Sequence, residues 1–425
     1  MKQKLLKILI PVTCAAILLA GCTSQKTTDT STQTSADAVV YDNGTENTSI
    51  KNVSTQDSGS DDFSDAFSDR DLSGEYDDET VSIKLNGTSA SASADTVSIS
   101  GSNVTITGAG TYILSGSLEN GSIIVNASKD DKVQLVLNGV SINSDTYAAI
   151  YVIQADKVFV TLAEGTQNTL SNSGTFTQTD DNNVDAVIFS KDDITLNGTG
   201  VLQIKSPGGH GIVGKDEVTI TAGTYVISAA NHAIRANDLL AISGGTFTLT
   251  AGEDGLHAEN SDDDTLGKIY IAGGTFSIKV SDDAVHATAM LQIDSGSMNI
   301  TAAEGLESTY IRINGGAISI SASDDGINAA KKSSAYTPTI EINDGEITIV
   351  MGSGDTDGVD SNGNIVLNGG TLNVSGSSTF DCDGSAQYNG GTIIVNGQQV
   401  DSIPTQMMGG GMGGMNSMGG GGRRR

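Results

Sequence analysis

The chain lacks tryptophan altogether, has four prolines among 425 residues, and draws only 4% of its residues from the aromatic set. Positive charge is scarce too: 22 Lys and Arg face 51 Asp and Glu, for a formal net charge of −29 and a pI near 4.2. That balance disfavours nucleic acid or any other polyanion as a partner and favours cations. Long apolar runs are missing beyond the first twenty-odd residues, and no helical period sets in, which argues against leucine-rich and helical repeats. What is present is Gly (53 residues), with Ser, Thr, Asn, Val and Ile, a composition suited to many short strands joined by turns.

The N-terminus, MKQKLLKILIPVTCAAILLAGC, sets lysines before an apolar run broken by Pro11 and Thr13. It is short for a membrane span and reads as an export signal over 1–21. Leu19-Ala20-Gly21-Cys22 is similar to a bacterial lipobox, which implies cleavage before Cys22 and lipidation of its thiol. Such chains anchor a protein at the cell envelope, outside the cytoplasm, without a spanning helix. Cys14 leaves with the signal and Cys22 takes lipid. Cys382 then stands alone, so the mature chain is expected to form no internal disulfide. Residues 22–79, rich in Ser, Thr and Asp, are expected to be a disordered tether, and the Gly/Met-rich 405–425 a disordered tail.

Between them lies a repeat. ITAG (Ile220), ISGG (Ile242), IAGG (Ile271), IDSG (Ile293), INGG (Ile313), INDG (Ile342) and LNGG (Leu367) recur at steps of 22, 29, 22, 20, 29 and 25 residues. Each is followed by an alternating run such as TFSIK and preceded by a stretch such as DGLHAE or DGINA. Period-two alternation places Ile269, Ile271, Phe276, Ile278 and Val280 on one face and Lys268, Tyr270, Ser277 and Lys279 on the other. Three short strands and three bends per rung of about 21 residues predict an all-β chain, a single-stranded parallel β-helix over 80–404. Residues from about 80 to 125 are expected to cap its first rung, and the protein is expected to be a monomer.

One bend is acidic in rung after rung. Its column reads Glu253-Asp254, Asp282-Asp283, Ala303-Glu304, Asp324-Asp325 and Asp355-Thr356-Asp357, and the outward strand column beside it reads His257, His286, Glu307, Asn328, Asp360. Carboxylates stacked about 4.8 Å apart repel unless something neutralises them. Calcium, which takes six to eight oxygens, is the expected neutraliser, with Glu253, Asp254, Asp282, Asp283, Glu304, Asp324, Asp325, Asn328, Asp355, Asp357 and Asp360 as candidate ligands. The competing reading is that Asp and Asn simply suit tight bends. Zinc is disfavoured because no thiolate accompanies His257 and His286. Those two read as exposed ladder residues, and His210 and His232 as plain bend residues.

The repeat in ISGGTFTLTAGEDGLHAEN and INGGAISISASDDGINAA, behind a lipobox and a Ser/Thr linker, resembles bacterial surface proteins described as a carbohydrate-binding β-helix domain, similar in shape to family 9 pectate lyases. The resemblance covers most of 80–400. It implies binding of plant-type polysaccharide, including acidic forms, with calcium in the bends. The lyase pattern of two aspartates, two residues, then a third is approached by Asp355-Thr356-Asp357-Gly358-Val359-Asp360 with one insertion. Asn328 and His286 replace the last aspartate in their rungs. Candidate glycan contacts are Lys268, Tyr270, Lys279 and Arg312. A calcium-dependent polysaccharide lyase is the alternative reading and would need a base, for which Lys331 and Lys332 stand nearest the Asp324-Asp325 bend. A structural adhesin stiffened by calcium is the third.

Overall fold

A computed structural model describes residues 63–76, 79–178, 181–353 and 356–404. Strands occur at the expected places and stack in three parallel sheets, so the fold is a parallel β-helix. In one rung, Leu256–Ala258 lies in the first sheet, Lys268–Ile271 in the second and Thr275–Val280 in the third. Each pairs in parallel with its counterpart one rung on, as Thr275–Val280 does with Ser297–Ala302. The expected signal, lipidation site Cys22 and C-terminal tail lie outside the described residues.

The core is a set of columns. Tyr225, Phe247, Phe276, Met298, Ile318 and Ile347 occupy one inward position in successive rungs. Their rings stack nearly parallel, Tyr225 on Phe247 at 5.1 Å and Phe247 on Phe276 at 4.6 Å. The bend ahead of this strand carries a glycine column. Gly223, Gly245, Gly274, Gly296, Gly316 and Gly345 have φ between 101° and 119°, a region only glycine enters cheaply. A Cβ on Gly296 would also sit 2.9 Å from the Gly274 carbonyl oxygen one rung below. Beside it runs an asparagine ladder: Asn343 donates to Asn314 at 2.8 Å, Asn368 to Asn343 and Asn389 to Asn368, both at 2.7 Å. Asn314 closes the ladder by donating to Asp294.

Both ends of the stack turn back on themselves. Val97–Ser100 pairs antiparallel with Asn103–Ile106, and Thr392–Val395 with Gln398–Val400 through a turn in which Asn396 and Gly397 have φ of 49° and 78°. That pair of positive angles is what an Asn-Gly hairpin turn requires. Antiparallel hairpins leave no long parallel edge for another chain to extend.

The expected tether is shorter than read from composition. Residues 63–76 lie along the outer side of the second sheet, and helix Asp69–Leu72 is held by a capping box between Ser68 and Asp71. Phe63 stacks on Tyr270 at 4.5 Å, and Arg70 sits over Phe159 at 4.4 Å. Asp71, 2% exposed, accepts from Thr195 at 2.5 Å and pairs with Lys157 at 2.9 Å. Gln134 donates to the Glu75 carbonyl at 3.2 Å. Phe63 and Phe67, both against Tyr270, dock the start of this polar stretch, and the Arg70 and Asp71 contacts hold the rest. Tyr270, expected to face solvent, is therefore only 9% exposed.

Replacing Phe247 by Ala removes the middle ring of the stack and should destabilise the chain by about 3–5 kcal/mol. Val226→Ala, at a position 41% exposed on the outer face, should change stability by about 0.5 kcal/mol or less. Urea unfolding followed by circular dichroism separates the two.

Candidate functional site

The acidic bend lies between the third and first sheets. The register sets Arg235, His257, His286, Glu307, Asn328, Asp360 and Asp381 in one outward column. The expected five members stand in their expected order. Arg235 and Asp381 extend the column by one rung at each end and were missed, because HAIRA and TFDCD carry no acidic pair before them.

Within each acidic pair the first residue is more open, Asp282 and Asp324 being exposed, while Asp254 and Asp283 are buried at 3% and 6% exposed. The buried member tethers the next rung. Asp254 Oδ1 accepts the Asp283 backbone N–H and Asp325 Oδ1 that of Asp357, both at 3.0 Å. In earlier rungs the Nδ1 atoms of His210 and His232 do the same for the N–H of His232 and Asp254, each at 3.2 Å. Turn chemistry thus explains one oxygen of each such carboxylate and leaves the other to face the cleft.

The histidines are neither exposed nor plain bend residues. His210, His232, His257 and His286 form one column of stacked imidazoles, with centroids 5.0, 4.1 and 4.8 Å apart. Burial pushes His210, His232 and His257 down to about 3, helped by their cationic and imidazole neighbours. His286 goes the other way. Burial again disfavours its charge, but Nδ1 lies 2.8 Å from both Asp283 Oδ2 and Glu307 Oε2. These contacts outweigh burial and raise it to about 10.

Ten residues of this corner, from His232 to Lys332, line a cleft of about 470 Å³. Glu307 is its best-compensated carboxylate: burial would raise it, but His286 and Lys332 hold it down at about 2. Lys332 Nζ lies 2.8 Å from Glu307 Oε1, and despite burial that carboxylate raises its pKa. This lysine, one of the two candidate bases, is a counter-ion. Among the described residues, Glu304 and Asp360 have no cationic partner. Burial, then neighbouring carboxylates, push Glu304 up to about 8 and Asp360 up to about 7. Burial raises Asp254 to about 6. It also pushes Asp283 upward, and the charges of Asp254 and Glu307 add to that despite the His286 contact.

The candidate calcium ligands divide into two chemistries. Glu253 and Asp254 stand among imidazoles, since His232 Nε2 lies 3.3 Å from Glu253 and His257 Nδ1 2.6 Å from Asp254. That mixed donor set suits calcium poorly. Beyond His286, whose Nδ1 contacts Asp283 and Glu307, the donors are oxygens. Asp283, Glu304 and Glu307 each bring an oxygen within 4.8 Å of the others, a span that two calcium–oxygen bonds of about 2.3–2.6 Å cover. Asn328, 8% exposed, donates to Glu304 at 3.0 Å and leaves its Oδ1 buried without a hydrogen-bond partner. Beside it in register stands Asp360. The oxygens of Glu304, Asn328 and Asp360 fit a hard cation, whereas Asp283 and Glu307 would first have to yield His286 and Lys332. Asp355 lies outside the described residues.

The candidate glycan contacts are not gathered here. Lys268, Tyr270 and Arg312 belong to the second sheet, where Arg312 is engaged by Glu341 at 3.0 Å. Lys279 is exposed on the third. Lys331 is exposed at the rim.

The family described as carbohydrate-binding domain-containing protein matches residues 100–354 and 304–402. A carbohydrate-binding domain-containing protein of Acetivibrio thermocellus is 36% identical over 137 residues, covering 32% of this chain and 48% of that protein. The chain thus spans about half the length of that relative. The solved structure of a polysaccharide lyase-like protein from C. thermocellum, as a gadolinium derivative, superposes with a TM-score of 0.50 at 32% identity, over 56% of this chain and 92% of that one.

The raised groups fix how stability should depend on pH in chelator. Folded Glu304, Asp283, Asp360 and Asp254 hold protons that unfolded carboxyls release from about pH 4, so their contribution to stability falls as pH climbs from about 4 to 8, and His286 extends the fall from about 6.5 to 10. The depressed histidines oppose this between about 3 and 6.5, where their own contribution rises with pH. The thermal midpoint should therefore peak where the two windows cross, at about pH 5, and decline above it. Glu304→Gln should flatten the decline between pH 6.5 and 8. An unchanged slope in the variant would contradict the assignment.

Proposed function

The chain belongs to the carbohydrate-binding domain-containing protein family, and from that membership we propose that it is a lipid-anchored cell-surface protein that binds acidic polysaccharide through calcium held in the bend column from Asp283 to Asp360. The observation that carries the reading is the run of carboxylates left without cationic partners, Glu304 and Asp360 above all. A chain of net charge −29 repels a uronate polymer, and a divalent cation shared between protein and sugar carboxylates reverses the sign of that contact. A solenoid face with a regular rung spacing of about 4.8 Å suits an extended polymer. Lipid on Cys22 would hold the binding face outside the cytoplasm.

The lyase alternative is weaker on this geometry. A lysine base needs a depressed pKa, whereas Lys332 is raised and bound to Glu307, and Lys331 is exposed.

The test is a polygalacturonate pull-down of the full chain with calcium or chelator, reading the supernatant for absorbance of unsaturated sugar ends. Retention should need calcium and no absorbance should grow. Asp325→Asn and Asp360→Asn should each weaken calcium-dependent retention about tenfold or more, since one lost ionic contact is worth about 1.5–3 kcal/mol. Retention should strengthen from pH 6 to 8.5 as the raised carboxylates ionise. Equal retention in chelator would end the calcium reading, and growing absorbance would restore the lyase.

A further inference from the structure

The chain has four histidines, and all four stand in the stacked column at one end of the cleft. Scarcity makes that concentration informative. We propose that His232, Asp254 and His257 hold a zinc-class dication, a site distinct in residues and in metal preference from the oxygen-lined run further along the column.

Three ligand atoms converge. His232 Nδ1 and His257 Nδ1 lie 3.3 and 2.6 Å from the same oxygen, Asp254 Oδ2. Ligands about 2.0–2.1 Å from a tetrahedral ion stand about 3.3 Å apart, so the first separation already suits and the second must open by about 0.7 Å. The outer nitrogens face carboxylates, His232 Nε2 toward Glu253 at 3.3 Å and His257 Nε2 toward Glu259 at 3.4 Å. Histidine ligands of metals are oriented by such an outer acceptor.

A second observation points the same way. His257 is 6% exposed and its Nε2 is buried without a hydrogen-bond partner. The 2.6 Å contact places a proton on Nδ1, donated to Asp254. Nε2 is then a bare lone pair facing the Glu259 carboxylate. A dication in place of the Nδ1 proton reverses the tautomer: Nδ1 becomes the ligand, and the proton moves to Nε2 and is donated to Glu259. His232 keeps its tautomer, because its Nδ1 already carries the lone pair, and exchanges the Asp254 backbone N–H it now accepts for the ion. Glu253, Asp254 and Glu259 against Arg235, which lies 4.0 Å from Glu259, leave two negative charges for the ion to balance. Two imidazoles and one carboxylate select a borderline ion over calcium. The cleft leaves a fourth position to water.

The test uses the full chain, purified without a histidine tag, stripped with chelator and titrated with Co²⁺ at pH 7.5. We expect one Co²⁺ per chain with the visible absorption of a four-coordinate nitrogen–oxygen site. Zn²⁺ should displace it, and a hundredfold excess of Ca²⁺ should not. Glu259→Gln, at a side chain 49% exposed, should weaken Zn²⁺ about tenfold, and His232→Gln and His257→Gln each by more. Three results would overturn the proposal: no such absorption, displacement by Ca²⁺, or absorption surviving in both histidine variants, which would place the ion elsewhere. Should the histidine variants fail to fold, unchanged affinity in Glu259→Gln overturns it alone.

Discussion

Everything in this protein follows from translation along one axis. A parallel β-helix sets each residue directly above its counterpart, about 4.8 Å away, so like side chains meet like. For rings, aliphatics and amides the arrangement is favourable, as the Tyr225–Phe247–Phe276 stack and the Asn314–Asn343–Asn368–Asn389 ladder show. For carboxylates it is unfavourable, and the structure resolves the conflict differently in each rung. Glu307 takes two cations, Asp254 takes an imidazole, and Glu304 takes only an asparagine amide.

The scaffold was legible because its signals repeat. An Ile-x-x-Gly motif, with Leu367 for Ile in the last rung, recurs at the bend ahead of the third strand, where its Gly takes positive φ, and alternation assigns each strand its inward face, so the rung and its columns could be written down residue by residue. The outward column from His257 to Asp360 was readable for the same reason. What could not be read was anything that breaks the repeat. The Phe63–Tyr270 stack joins residues 207 positions apart with no periodic relation. Lys332 reaches Glu307 from a loop whose path the repeat does not set. The imidazole column was missed because it crosses registers: His232 belongs to the bend column and His257 to the strand column.

The donors along the cleft are graded. Nitrogen dominates at His210 and His232, nitrogen and oxygen mix around Asp254 and His286, and oxygen alone remains from Glu304 to Asp381. Neighbouring rungs on one backbone template therefore present different donor sets, and a single substitution in one rung can alter its chemistry without disturbing the next.

The docked segment 63–76 has a mechanical meaning. A pull transmitted along the chain from its N-terminal side first meets the Phe63–Tyr270 stack, then the contacts of Arg70, Asp71, Ser73 and Glu75 in turn. Those contacts are loaded along the length of a sheet, several rungs deep, before the terminal strand Thr80–Gly87 bears any tension. The segment works as a strain relief, sparing the first rung from being peeled away.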